Sequence, residues 1–212
     1  MLNCKNFDEL EKFLLNNYGI RVSQKFKALH FASVIKGVDG VLKAIDTFPQ
    51  LLHRITLFDT HYNNAGFMFA AYDGTIFWNL NKFGKIMPMK EKNYNKFVNG
   101  KWSHPVNSGF ASLGAHEAGH VLCAIDAERR YPNKSVNFTL QVYNNSSVAK
   151  DILNDVAKAN KAKLYNLQKE MCRYAQTNAS ECIAECIADY ITNGDKAQRL
   201  SVMVAEYFKS VG

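Results

Sequence analysis

His116-Glu117-Ala118-Gly119-His120 sets two imidazoles and a carboxylate inside an otherwise apolar stretch, and no other segment of the 212-residue chain restricts the fold as much. At 3.6 residues per turn, His116 and His120 leave one helix face a turn apart and can converge on a single tetrahedral Zn²⁺. Glu117 stands beside them, where a carboxylate can accept a proton from a metal-activated water and pass it to a leaving amine. Phe110, Leu113, Val121, Leu122 and Ile125 recur at helical spacings, Arg129 and Arg130 close the run, and Pro132 follows. That pattern predicts a helix from about Ser112 to Arg130. Buried without partners, its polar trio would be costly, so another element must meet it. The plain alternative is a helix whose histidines only make polar contacts.

A catalytic zinc takes three protein ligands and keeps one position for water. Two carboxylates compete for the third place. Asp126 lies six residues beyond His120, where the H-E-x-x-H-x-x-G-x-x-H pattern sets its last ligand. The glycine that lets that pattern turn out of the helix is Cys123 here, a poor fit to a left-handed turn. Glu181 belongs to a second predicted helix, capped by Asn178 or Thr177 and stopped at Gly194, with Glu181 three residues after Asn178. Glu181, Ala184, Glu185 and Ala188 share one face, a pair of acids among small residues that admit a neighbouring helix. The pattern suits Glu181 as a ligand and Glu185, one turn on, as the acceptor for the far ring N–H of a ligand histidine. It suits equally an acid favoured by the helix dipole and a solvated neighbour. Tyr174, seven residues before Glu181, favours the first reading, because a phenol there can face the open side of the metal and stabilise an oxyanion. Otherwise it is a core tyrosine, one of ten.

The HEAGH helix, the separate tyrosine and the later S-E-x-x-A-E-x-x-A helix together resemble the gluzincin zinc metallopeptidases of the anthrax lethal factor and Pro-Pro endopeptidase group, which has phage-associated relatives. The resemblance implies an α+β, zincin-like domain with a small mixed sheet, an HExxH active-site helix and a downstream ligand-bearing helix. It implies His116, His120 and Glu181 as Zn²⁺ ligands, Glu117 as general base and Tyr174 as oxyanion donor. In such folds a sheet edge lies above the metal helix and takes an extended peptide by strand addition. The expected activity is zinc-dependent endoproteolysis of a protein or peptide substrate. The likeness spans roughly residues 55–194, with residues 135–160 resembling an insertion. The rival is a phage or mobile-element structural or host-interaction protein with a non-catalytic zinc site. A purely architectural site does not require Glu117; a fourth protein ligand such as Cys123 or Cys182 would favour one.

With 47% hydrophobic residues the chain can bury a full core. One domain is expected over residues 1–212, with residues 1–50 as a helical extension or subdomain and the metallopeptidase core from residue 55. No segment reaches transmembrane length, the amino terminus lacks a secretion signal, and five cysteines suit a reducing compartment. A cytoplasmic location follows, with export by another route left open. Cys182 and Cys186 read as small buried hydrophobes. The net charge is +7, and Lys82, Lys85, Lys90, Lys92, Lys96 and Lys101 interleave with Tyr94, Phe97 and Trp102. This stretch reads as a solvated loop, so neither nucleic acid nor membrane is an expected partner. His61 and His104 read as isolated polar residues.

Elsewhere the periodicities predict a helix over 6–17 stopped by Gly19, an extended segment over 20–22, and a helix over 31–48 weakened by Gly37 and Gly40. Strands are predicted over 55–58 and 66–72, then a two-residue Asp73-Gly74 turn into a strand over 75–80. A strand over 137–143, a long helix over 147–174 and a final helix over 197–208 complete the expectation.

Overall fold

The HEAGH segment lies within the longest helix of the protein, α5 (Phe110–Arg130), which is 21 residues long. The computed structural model describes residues 2–62, 66–102 and 109–212. Before α5 come α1 (Phe7–Tyr18), β1 (Arg21–Val22), α2 (Phe31–Thr47), β2 (Leu57–His61), β3 (Met68–Ala70), β4 (Ile76–Asn79), the single turn α3 (Leu80–Phe83) and α4 (Glu91–Trp102). After it come α6 (Val136–Asn144), α7 (Ser147–Ala159), α8 (Leu164–Glu170), α9 (Ala179–Asn193) and α10 (Arg199–Val211). The result is a mixed α/β architecture, mostly helical with one small sheet, compatible with the α+β class.

The sheet has the order β1-β2-β4-β3; β1, β2 and β4 run parallel, and β3 runs antiparallel to β4 at the edge. A hairpin joins β3 to β4. Its loop holds three residues, not the two predicted: Ala71 N–H bonds to the Thr75 carbonyl and Gly74 N–H to the Ala71 carbonyl. Gly74 sits at φ 87°, and a Cβ there would fall 1.9 Å from the Arg54 carbonyl oxygen, so glycine is required. Alternation sends Phe58, Ile76 and Trp78 into the core, where Trp78 meets Phe26 and Phe58 edge-on with centroids 5.0 Å away in each case.

Residues 2–50, the expected extension or subdomain, share this core: β1 pairs with β2, and α2 lies along α5. Gly40 of α2 and Gly114 of α5 are the residues that let the two helices approach. A Cβ on Gly40 would fall 1.8 Å from the Ala111 carbonyl oxygen, and one on Gly114 would fall 1.9 Å from that of Gly37.

Three other expectations change. The lysine-rich stretch expected as a loop is helical from Glu91 onward as α4, which carries Lys92, Lys96 and Lys101; Glu91 accepts a hydrogen bond from Phe110 N–H at 2.9 Å and so caps α5. Residues 137–143 lie in a helix, α6, capped by the Ser135 side chain. Their valine, phenylalanine, threonine and tyrosine content favours strand, but packing against α5 and α7 decides. The long helix over 147–174 breaks near Lys161 (φ 50°) into α7 and α8, and an irregular stretch leads into α9. No helix among the described residues is long and apolar enough to cross a membrane.

Candidate metal centre

α9 begins where its sequence provides a cap: the Asn178 side chain accepts a hydrogen bond from Glu181 N–H at 2.9 Å. The crossing of α9 on α5 is set by small residues. A Cβ on Gly119 would fall 2.8 Å from Ala184 Cα and 3.3 Å from Ile187 Cβ, so the helices touch almost backbone to backbone. That contact brings the first turn of α9, with Glu181, beside His116 and His120.

His116 Nε2 lies 3.2 Å from His120 Nε2 and 3.1 Å from Glu181 Oε2, and His120 Nε2 lies 3.6 Å from Glu181 Oε2. Ligand atoms bound at about 2.0–2.1 Å around a tetrahedral ion stand about 3.3 Å apart, so the triangle has the size of one face of such a site. Glu181 Oε2 is buried and makes no aligned hydrogen bond. Burial opposes its charge, but the contacts with His116 and His120 outweigh that and hold the carboxyl well below the usual range. Among the described residues these three form the group whose ligand atoms converge as a metal would need.

Each ring is held from its far side. Glu185 Oε1 lies 2.9 Å from His116 Nδ1, and Ser180 Oγ lies 3.1 Å from His120 Nδ1, which turns both Nε2 atoms toward Glu181. Burial disfavours charge on His116, yet Glu181 and Glu185 push its pKa well above the ordinary value. The carboxylates therefore demand positive charge at this point, from a proton or from a cation.

Glu117 is 4% exposed. Burial raises its carboxyl above the usual range; the neighbouring histidines and a hydrogen bond from Ala70 N–H pull the other way. The Tyr174 ring lies 5.9 Å from that of His116, and burial followed by the Glu181 charge raises its phenol, which keeps its proton. These groups line a cavity of about 460 Å³, with β3 on one wall and Tyr143, Asn144 and Ser146 on another. Phe67 and Ala71 bond toward the β4 side, so Met68 and Ala70 turn their amides and carbonyls to the outer edge, where no further strand pairs among the described residues and the Ala70 amide meets Glu117.

The structure thus gathers His116, Glu117, His120, Tyr174 and Glu181 around one cavity, with Glu185 behind His116. It sends Asp126 elsewhere. α5 continues through Cys123 without a turn, and Asp126 meets Arg129 Nη2 and Arg130 Nε at 2.6 Å each and the Tyr207 hydroxyl at 3.1 Å. Cys123, Cys182 and Cys186 are free buried thiols outside the convergent group. His61 packs on Phe69 with ring centroids 4.8 Å apart, and burial lowers its pKa. His104 lies outside the described residues. Sequence reasoning gave no role to Ser180, although it adjoins Glu181, and missed Tyr143, whose segment was read as strand; only tertiary packing brings that ring to the cavity. No family model matches this chain, and neither a curated protein nor a solved structure matches it.

Proposed function

We propose that this protein is a zinc-dependent peptidase of gluzincin type with a zincin-like fold. The observation that carries the reading is the convergence of three electron-pair donors, His116 Nε2, His120 Nε2 and Glu181 Oε2, at 3.1–3.6 Å with the carboxylate oxygen buried and unsatisfied. Three acceptors facing one another without a shared donor repel unless a cation or proton sits among them. Two imidazoles and one carboxylate form a donor set that suits zinc. Bound there, zinc supplies a Lewis acid and lowers the pKa of a coordinated water toward neutrality.

The chain's own residues supply the rest. An extended peptide lies along the outer edge of β3, its backbone bonding to the amide and carbonyl of Met68 and to the carbonyl of Ala70, whose amide is held by Glu117. Glu117, in the same cavity and made a stronger base than an ordinary carboxylate by its burial, takes the proton from the attacking water and delivers it to the leaving amine. Tyr174, holding its phenolic proton, donates a hydrogen bond to the substrate carbonyl oxygen as negative charge grows on it. Glu185 and Ser180 keep the two rings oriented.

The test is Glu117→Gln in a protein loaded with zinc and assayed on an unfolded protein such as casein. The variant is expected to keep one zinc per chain and lose turnover by about three orders of magnitude, within the range for a general acid–base group. Unchanged turnover would remove Glu117 from the chemistry, and a wild-type protein that takes up no zinc would end the peptidase reading.

A further inference from the structure

Behind His116, and outside the residues so far given a role, stands a thiol. Cys172 is 5% exposed, and its Sγ lies 3.3 Å from Glu185 Oε2, while the other oxygen of that carboxylate lies 2.9 Å from His116 Nδ1. Ala175 N–H points at the same sulfur from 3.5 Å. We propose that Cys172 is a positioning residue, donating its S–H to Glu185 and so fixing the carboxylate that orients His116 toward a bound metal. This inference rests on the metal reading above.

The direction of each bond follows from the groups. Burial, then the Glu185 charge, pushes the Cys172 thiol up to about 12, so at neutral pH the sulfur carries a proton to give. Ala175 N–H occupies a lone pair on that sulfur and leaves the S–H free to turn to Glu185. The carboxylate is 3% exposed, where losing a donor is expensive because little water can replace it. With Oε2 held by the thiol, Oε1 stays on His116 Nδ1, that nitrogen keeps its hydrogen, and the Nε2 lone pair faces His120 and Glu181. The same sulfur pins the short turn that carries Tyr174, since Ala175 is the next residue. One buried cysteine thus ties the ring orientation of a ligand to the segment presenting the phenol.

The experiment measures zinc dissociation constants of the 212-residue chain by competition with a chromophoric chelator, for wild type, Cys172→Ala, Cys172→Ser and Cys186→Ala. Cys186 is a buried thiol on α9 and serves as a packing control. Cys172→Ala should weaken zinc binding about tenfold, the lower end for a group that orients a ligand. Cys172→Ser, which keeps a donor, should stay within about threefold of wild type, as should Cys186→Ala. Should Cys172→Ala not fold, Cys172→Val replaces it, since valine also lacks a donor. Wild-type affinity in the donor-free variant, or equal weakening in Cys172→Ser, overturns the inference while leaving the metal reading intact. A wild type that binds no zinc overturns the metal reading itself.

Discussion

Near the C-terminal end of α5, Asp126 is 2% exposed and meets two guanidinium groups at 2.6 Å and a tyrosine hydroxyl at 3.1 Å. Roughly two turns earlier on the same helix, His116 and His120 meet Glu181, whose Oε2 is buried without an aligned donor. Both are buried clusters with a carboxylate at the centre, and in the sequence both carboxylates compete for one role. They differ in charge balance. Asp126 has its counter-charges built in, Arg129 and Arg130, and Arg130 is tied further to Asp155 at 2.6 Å. At the other cluster two imidazoles and a carboxylate face one another with no cationic side chain among them, the arrangement that the proposed zinc would complete. Breaking the first cluster would leave buried charge uncompensated, whereas the second, on the proposed reading, is completed by a ligand.

Glu181→Ala should test the difference with the largest effect. Removing one of three ligands is expected to weaken zinc more than about a hundredfold, beyond the range for residues that merely orient a ligand, as read by chelator competition. Stoichiometric zinc held as tightly as in wild type would merge the two clusters into one structural class. Asp126→Ala should do the reverse. It leaves Arg129 and Arg130 without their shared acceptor, at a cost of about 2 kcal/mol in denaturant unfolding. That is less than the ~3–5 kcal/mol typical of a broken buried pair, because the arginine side chains are 43% and 20% exposed. Zinc affinity should be unchanged. A variant that lost zinc with its fold intact would return Asp126 to the ligand set.

What could be read in the sequence follows from how local each signal is. The helical spacing of His116 and His120, the Asn178 cap with Glu181 three residues on, and the Gly19 stop act within a turn or two, and the structure places helices at each. Arg129 and Arg130 stand three and four residues after Asp126, so the saturation of that cluster is also a local signal. Other features depend on distant partners. Tyr143 reaches the cavity because α6 packs on α5, against its own strand propensity. That β3 is the edge strand depends on the pairing of β4 with β2, which no local pattern specifies. Gly40 registers locally as a helix weakener; its value is the close approach of a helix about seventy residues away, which appears only once both helices are in place.

Gly119 joins the two halves of that argument and yields the smallest effect. On helix propensity alone Gly119→Ala should stabilise α5 by about 0.8–1.0 kcal/mol. The added Cβ, however, would stand 2.8 Å from Ala184 Cα, and the obstacle is the backbone of α9, so the helices must separate. Overpacking of that kind costs about 1–3 kcal/mol, so the net change should be a loss of about 1 kcal/mol in denaturant unfolding. Gly100→Ala on α4 is the matched control: nothing lies within 4 Å of its Cβ position, and the propensity gain should appear in full. The consequence for the two clusters should be unequal. Displacing α9 shifts Glu181 relative to His116 and His120, whereas Asp126 keeps Arg129 and Arg130 on its own helix. Zinc affinity should therefore fall in Gly119→Ala and hold in Gly100→Ala. Equal zinc affinity in both would mean that the metal triangle does not depend on the closeness of α5 and α9.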